Sequence, residues 1–293
     1  MKPACLLSRF TVVLALLAAG LAPAAAGIDI RSGSALIIDH QGNRLFDRGS
    51  TEVRPIASIT KLMMAMVVLD ADLPLDDPIT IIEADRDRLR WSRSRLRIGE
   101  ATLSRGDMVR VALMSSDNRA AAALGRTTFA GGTSSFVAAM NDKAQALGMR
   151  DSQFADASGL DAGNQATAED LVRLLHAASQ YPFIREVTST GEFTAHPYDN
   201  RGSLHYRNTN PLVRDSRWVV ELSKTGYIHE AGRCLVMQAQ VADRRLYIVL
   251  LNATGKLTPV GDANRLRDWL RAHPYAGVEP AHDRKTAVAI SGH

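Results

Sequence analysis

Cysteine is nearly absent. The 293 residues contain two, Cys5 and Cys234. There is no C-x-x-C pair, so neither a redox dithiol nor a cysteine-built zinc site is available. His229-Glu230 begins like the zinc motif H-E-x-x-H, but Arg233 stands where the second histidine belongs. No metal or other cofactor is therefore expected. The sequence also lacks the phosphate-binding loop, the dinucleotide-binding G-x-G-x-x-G and the G-x-S-x-G nucleophile turn. It has no internal repeat, low-complexity tract or Pro/Gly-rich linker. With 46% hydrophobic and 23% charged residues it reads as globular.

Only the N-terminus carries a long apolar run. Lys2 and Arg9 precede Phe10–Leu21, and Ala24-Ala25-Ala26 follow. A basic start, a short apolar stretch and small residues make a secretory signal peptide over residues 1–26, with export to the periplasm and no stable membrane anchor. Its removal takes away two bases and no acid. The formal charge of +4 thus falls to +2, which argues against a nucleic-acid partner. Cys234 is then the only cysteine, in a strand, and reads as a small buried side chain.

Two short strands, Ala35–Asp39 and Arg44–Arg48, are joined by a link containing Gly42 and Asn43. A helix over Ser58–Leu69 is apolar nearly all round, hence buried. Residues 70 to about 200 read as a mostly helical insert, with helices at 107–115, 119–126, 134–147 and 168–179. Three strands follow, Trp218–Tyr227, Arg233–Val241 and Leu246–Asn252, the last two joined by a loop at 242–245. An amphipathic helix over Asp262–His273 ends at Pro274. One domain of 27–274, with a sheet assembled from both chain ends and covered by helices, fits this order; residues 275–293 read as a disordered tail.

Three short motifs carry the chemistry. Ser58-Ile59-Thr60-Lys61 is S-x-x-K, Ser116-Asp117-Asn118 is S-x-N, and Lys224-Thr225-Gly226 is K-T-G. The first two are common by chance; their order and placement make the set informative. Ser58 and Lys61 are three apart on a helix and so share a face. A serine hydroxyl needs a neighbouring base, and a lysine serves only when burial or nearby positive charge keeps it neutral. The reaction expected is acyl transfer through Ser58. Asp117 reads as solvated or structural. Six arginines between Arg86 and Arg97 read first as a solvated charged face, with binding of an anionic partner as the minor alternative.

The motifs and their surroundings resemble the low-molecular-mass penicillin-binding proteins, the D-Ala-D-Ala peptidases. The likeness runs through Ser94–Gly99, Leu113–Ala121, Ser158-Gly159-Leu160, Arg207–Asn210 and Ser223–Tyr227, and covers about residues 28–272. It implies a β-lactamase/transpeptidase-like fold of the α/β (α+β) class, an antiparallel five-stranded sheet flanked by helices with a helical subdomain. It implies that Ser58 is acylated, Lys61 is its base and Ser116 relays a proton to the leaving amine. Asn118, Lys224, Thr225 and Gly226 would bind substrate, Lys224 also supplying positive field, with the backbone N–H groups of Ser58 and Tyr227 as the oxyanion hole. The partners implied are peptidoglycan peptides and, as covalent inhibitors, β-lactams. The short C-terminus favours the endopeptidase branch. A carboxypeptidase is the alternative; weaker ones are a silent wall-binding module and a β-lactamase, which would need a water-activating glutamate, whereas Glu169 sits in a helical pattern unlike the loop that carries one.

Overall fold

The computed structural model describes residues 27–199 and 202–273; the expected signal peptide and tail lie outside them. In chain order come β1 (Ser34–Asp39), β2 (Arg44–Arg48), β3 (Arg54–Pro55), α1 (Thr60–Asp70), β4 (Pro78–Thr80), β5 (Thr102–Ser104), α2 (Arg105–Met114), α3 (Asn118–Thr127) and α4 (Gly132–Ala146). Then follow β6 (Gln165–Ala166), α5 (Ala168–Ala178), α6 (Pro182–Ser189), β7 (Glu192–Ala195), β8 (Leu204–Arg207), β9 (Val219–Ile228), β10 (Gly232–Val241), β11 (Arg244–Ala253) and α7 (Thr258–Ala272).

The main sheet has the order β2-β1-β11-β10-β9, and every pairing is antiparallel. The first and last thirds of the chain therefore meet in one sheet, as the strand pattern predicts. β1 is buried along its whole length because both faces are covered. Leu36, Ile38, Val236 and Val249 face α1 and α5. Ala35, Ile37, Leu235 and Ile248 alternate onto the other face, against Ala263, Leu266 and Leu270 of α7. The N-terminal segment is tied to α7 by Asp262, whose carboxylate accepts from Arg31 N, Ser32 N and Ser32 Oγ at 2.8, 2.8 and 2.6 Å.

Several details differ from the sequence reading, among them the start of the last helix at Thr258 rather than Asp262. The region after α1 is not helices and loops alone. It carries the pairs β4–β5 and β7–β8, and β6, which pairs with β3. These strands have two to four residues, too short for an alternating pattern to show. Helix α6 begins at Pro182, a residue that suits a first helical turn as well as a breaker. The loop between β10 and β11 is tighter than expected. Only Ala242 and Asp243 turn, both with positive φ (48° and 61°), as the twist of a two-residue hairpin demands. Cys234 is buried, and burial pushes its thiol up to about 11.

Candidate active site

Ser58 sits in a single 3-10 turn, Ala57–Ile59, that feeds directly into α1. Ala57 takes a left-handed φ of 50°, a strained value for a residue with a side chain. The turn is fixed from outside: Ile56 N donates to the Asn164 carbonyl at 3.0 Å. The Gly159 backbone packs against the Ala57 carbonyl so closely that a Cβ there would lie 2.0 Å from the oxygen. One turn on, Lys61 is fully buried in the apolar helix.

The Lys61 ammonium position is set by three acceptors. Nζ lies 2.9 Å from Ser58 Oγ and 2.8 Å from Asn118 Oδ1, and also reaches the Ser158 carbonyl oxygen. None of these is a carboxylate. Burial therefore dominates, and lowers the Lys61 pKa to about 7, against smaller opposing effects of the Asp156 and Asp117 charges. A large share of Lys61 is then neutral near pH 7, as a general base requires.

Ser116 and Asn118 come from the break between α2 and α3. Ser116 has φ of 61°, left-handed again. Asp117 caps α3, with Oδ1 accepting from Ala120 N at 3.1 Å, while Oδ2 accepts from Ser94 Oγ at 2.7 Å. Its role is structural as expected, but it is buried rather than solvated, and burial raises its pKa. Asn118 spans the site, holding Lys61 through Oδ1 and donating from Nδ2 to Ser92 Oγ at 2.9 Å.

The third wall is β9. Lys224 is buried, and its Nζ donates to Ser116 Oγ at 3.0 Å and to the Thr225 carbonyl at 2.8 Å. Burial first, and then the charge of Lys61, hold its pKa well below the ordinary lysine value. The positive field expected of Lys224 is thus weakened in the free site. Thr225 Oγ1 donates to Thr209 Oγ1 at 2.6 Å. Gly226 runs beside the serine turn, where a Cβ would lie 3.0 Å from the Ile56 carbonyl and 3.1 Å from Ser58 N. The Tyr227 side chain is exposed, under the Arg233 guanidinium 3.7 Å from its ring centre.

All seven side-chain or glycine positions singled out by motif thus meet in one place, and a cavity of about 560 Å³ opens over Ser58, Ser116, Asn118, Thr225 and Gly226. Sequence reasoning missed Ser92, Asp156 and the Ser158 carbonyl. Asp156 accepts from Ser158 N and Gly159 N at 2.7 and 2.5 Å and so shapes the loop that offers that carbonyl. The D-x-S-G spacing was the available signal, since an Asp two or three residues before backbone donors commonly closes such a turn.

A serine paired with a buried lysine at the head of a helix, between an S-x-N loop and the edge strand of a five-stranded antiparallel sheet, defines a serine peptidase of the penicillin-binding class. Comparison with known proteins agrees. Residues 20–255 match the peptidase S11 family, described as D-alanyl-D-alanine carboxypeptidase, and the chain belongs to that family. It is 44% identical over 254 residues to a D-alanyl-D-alanine endopeptidase of Pseudomonas aeruginosa, covering 86% of this chain and 81% of that one. Similarity to a D-alanyl-D-alanine endopeptidase of Escherichia coli is 42% over 270 residues, covering 90% and 86%. Among solved structures, a Streptomyces DD-transpeptidase superposes with a TM-score of 0.76 at 26% identity, over 83% of this chain and 98% of that one.

Proposed function

We propose that this chain is a serine DD-endopeptidase that cuts D-Ala-to-diamino-acid cross-links of peptidoglycan in the periplasm, after removal of residues 1–26. The observation that carries the reading is the contact of a buried, low-pKa Lys61 amine with Ser58 Oγ at 2.9 Å. In the proposed reaction Lys61 takes the Ser58 proton as Oγ attacks the D-Ala carbonyl carbon. The oxygen of that carbonyl gains the negative charge, and the backbone N–H groups of Ser58 and Tyr227 receive it. Two aligned donors in a dry site contribute several kcal/mol. The close approach of Gly226 to Ser58 N supports that placement. The C–N bond then breaks, and the departing amine takes a proton through Ser116, whose Oγ lies within the reach of Lys224. Water attacks the resulting ester and restores the Ser58 hydroxyl. Asn118 holds Lys61 and the substrate amide, and Thr225 takes a carboxylate of the leaving side.

The names of the two relatives at 42–44% identity support endopeptidase over carboxypeptidase. Against efficient β-lactam turnover, Glu169 is committed elsewhere, with Oε1 2.6 Å from Arg44 and 3.4 Å from Ser50 Oγ. β-Lactams are therefore expected to acylate Ser58 and stay. The intact-protein mass after penicillin treatment tests the chemistry: an adduct on the wild type and none on Ser58→Ala is expected, and an adduct on both sinks it. Chromatography of digested muropeptides tests the substrate. Loss of D-Ala from pentapeptides while dimers survive points to the carboxypeptidase instead.

A further inference from the structure

Ser116 is shared by two cavities. One is the site described above. The second, about 390 Å³, borders Ser116 but not Ser58 and is walled by the loop before β5 and by β8. Arg93, Arg95 and Arg207 are among its lining residues. Its one lining carboxylate, Asp117, is already engaged by Ser94 and Ala120.

The run of six arginines resolves into two groups. Arg86 and Arg88 pair with Glu83 at 2.7 and 3.3 Å, Arg90 with Glu230 at 3.0 Å and Arg97 with Glu100 at 3.5 Å. For these four the solvated-face reading holds. Arg93 and Arg95 have no carboxylate partner among the described residues, and both are exposed. Arg95 gives one N–H to the His205 carbonyl at 2.6 Å and lies over the Tyr206 ring at 5.1 Å, which orients its fork while leaving other donors open. Arg207 is committed to Glu192 at 3.0 Å. Of the six, the two without an acid partner are thus the two that line the cavity bordering Ser116.

We propose that this cavity is the subsite for the departing peptide stem, with Arg93 and Arg95 taking a carboxylate of that strand, and that it sets the preference for cross-linked over linear substrate. The inference rests on the reading of Ser116 given above. If the leaving amine is protonated at Ser116, whatever is attached to that amine continues past Ser116, away from Ser58. A carboxypeptidase releases a single D-Ala, which has one carboxylate and ends there. An endopeptidase releases a diamino acid inside a second stem, with further carboxylates beyond the amine. Paired guanidinium forks suit such a group, because charge-assisted N–H···O bonds to a carboxylate are both strong and directional.

The test compares three rates for the full mature chain and for Arg93→Ala/Arg95→Ala: cleavage of a cross-linked muropeptide dimer, release of D-Ala from a pentapeptide, and acylation by penicillin. Dimer cleavage is expected to fall at least ten-fold relative to the other two rates, mainly through KM, and Arg93→Lys/Arg95→Lys is expected to recover part of it. A dimer amidated at the leaving-stem carboxylates other than the one next to the cleaved amine should be cut poorly by the wild type and no worse by the variant. An unchanged ratio of dimer to pentapeptide cleavage overturns the proposal, and so does an equal fall of all three rates, which marks a loop that merely supports Asn118 through Ser92. Absence of penicillin acylation in the wild type is a separate result: it removes the acyl-enzyme reading itself.

Discussion

Acylation of Ser58 should be switched by the protonation of Lys61. Its pKa of about 7, set mainly by burial, means that about half the amine is neutral at pH 7 and about 1% at pH 5. The pseudo-first-order rate of acylation by penicillin should therefore rise about 100-fold from pH 5 and level off by about pH 9. The assay is stopped-flow or timed intact mass at fixed penicillin. Two neighbours give the profile a second handle. Asp156 and Asp117 favour the ammonium, so removing either charge lowers the Lys61 pKa further. Asp156→Asn keeps an oxygen for the Ser158 and Gly159 amides, and should move the acid limb to lower pH, giving faster acylation than wild type at pH 5 to 6. The same ionisation affects stability with a defined sign. The folded pKa lies below the unfolded value near 10.5, so the unfolded state binds the extra proton between them. Stability from this group is present above about 10.5, declines as pH falls, and is lost fully below about 7. The penalty at low pH is on the order of 5 kcal/mol, and Lys61→Met should be inert to penicillin yet no less stable than wild type at pH 6. A flat acylation profile between pH 5 and 8, or a limb near pH 10, would refute Lys61 as the base.

The remaining predictions concern backbone packing and the thiol. Gly226→Ala places a methyl 3.0 Å from the Ile56 carbonyl and 3.1 Å from Ser58 N, so β9 must move off the serine turn. Acylation should drop about 100-fold while the melting temperature changes little, a split measured by mass spectrometry and calorimetry. Gly159→Ala combines φ of 80° with a Cβ 2.0 Å from the Ala57 carbonyl. It should cost about 3 kcal/mol or more in urea unfolding, or prevent folding. Cys234 should resist alkylation by iodoacetamide at pH 8 in the native protein and react at once in denaturant, since its thiol is buried and pushed up to about 11.

What the sequence made legible follows from the kind of signal each feature leaves. The main sheet could be read because its strands are long and apolar: β9, β10 and β11 have ten residues each. The three motifs could be read because their function depends on residue type, and the structure brings them together at hydrogen-bond range. Ser158 was visible only as part of a resemblance, because its contribution to Lys61 is a carbonyl that any residue would offer. Ser92 was invisible for another reason. Its contact with Asn118 spans 26 positions and depends on a loop path that no periodicity encodes. The arginine cluster showed the opposite limit. Its charge was plain, but which two of the six lacked an acid partner depended on Glu83, Glu230 and Glu100, one of them 140 residues away.

The two buried lysines explain why such a site should favour anionic substrates. Lys61 and Lys224 are both enclosed, and the acceptors around their amines are hydroxyls, an amide oxygen and backbone carbonyls. Two ammonium groups in that enclosure repel each other and lose hydration, so the free site disfavours carrying both charges. A carboxylate bound through Thr225, as proposed, would change the balance, because it favours the charged form of Lys224, whose amine already touches the Thr225 carbonyl. A charged Lys224 in turn disfavours the charge on Lys61, which is the form that cannot act as base. Binding of an anion and readiness of the nucleophile are then coupled, and the coupling must be reciprocal. Saturation with a non-reactive D-Ala-terminated carboxylate should consequently lower the pKa governing the reaction of Ser58 with a small neutral acylating agent. The corresponding amide should leave that pKa where it is. Equal profiles with both ligands would show that Lys224 holds its charge independently of the substrate.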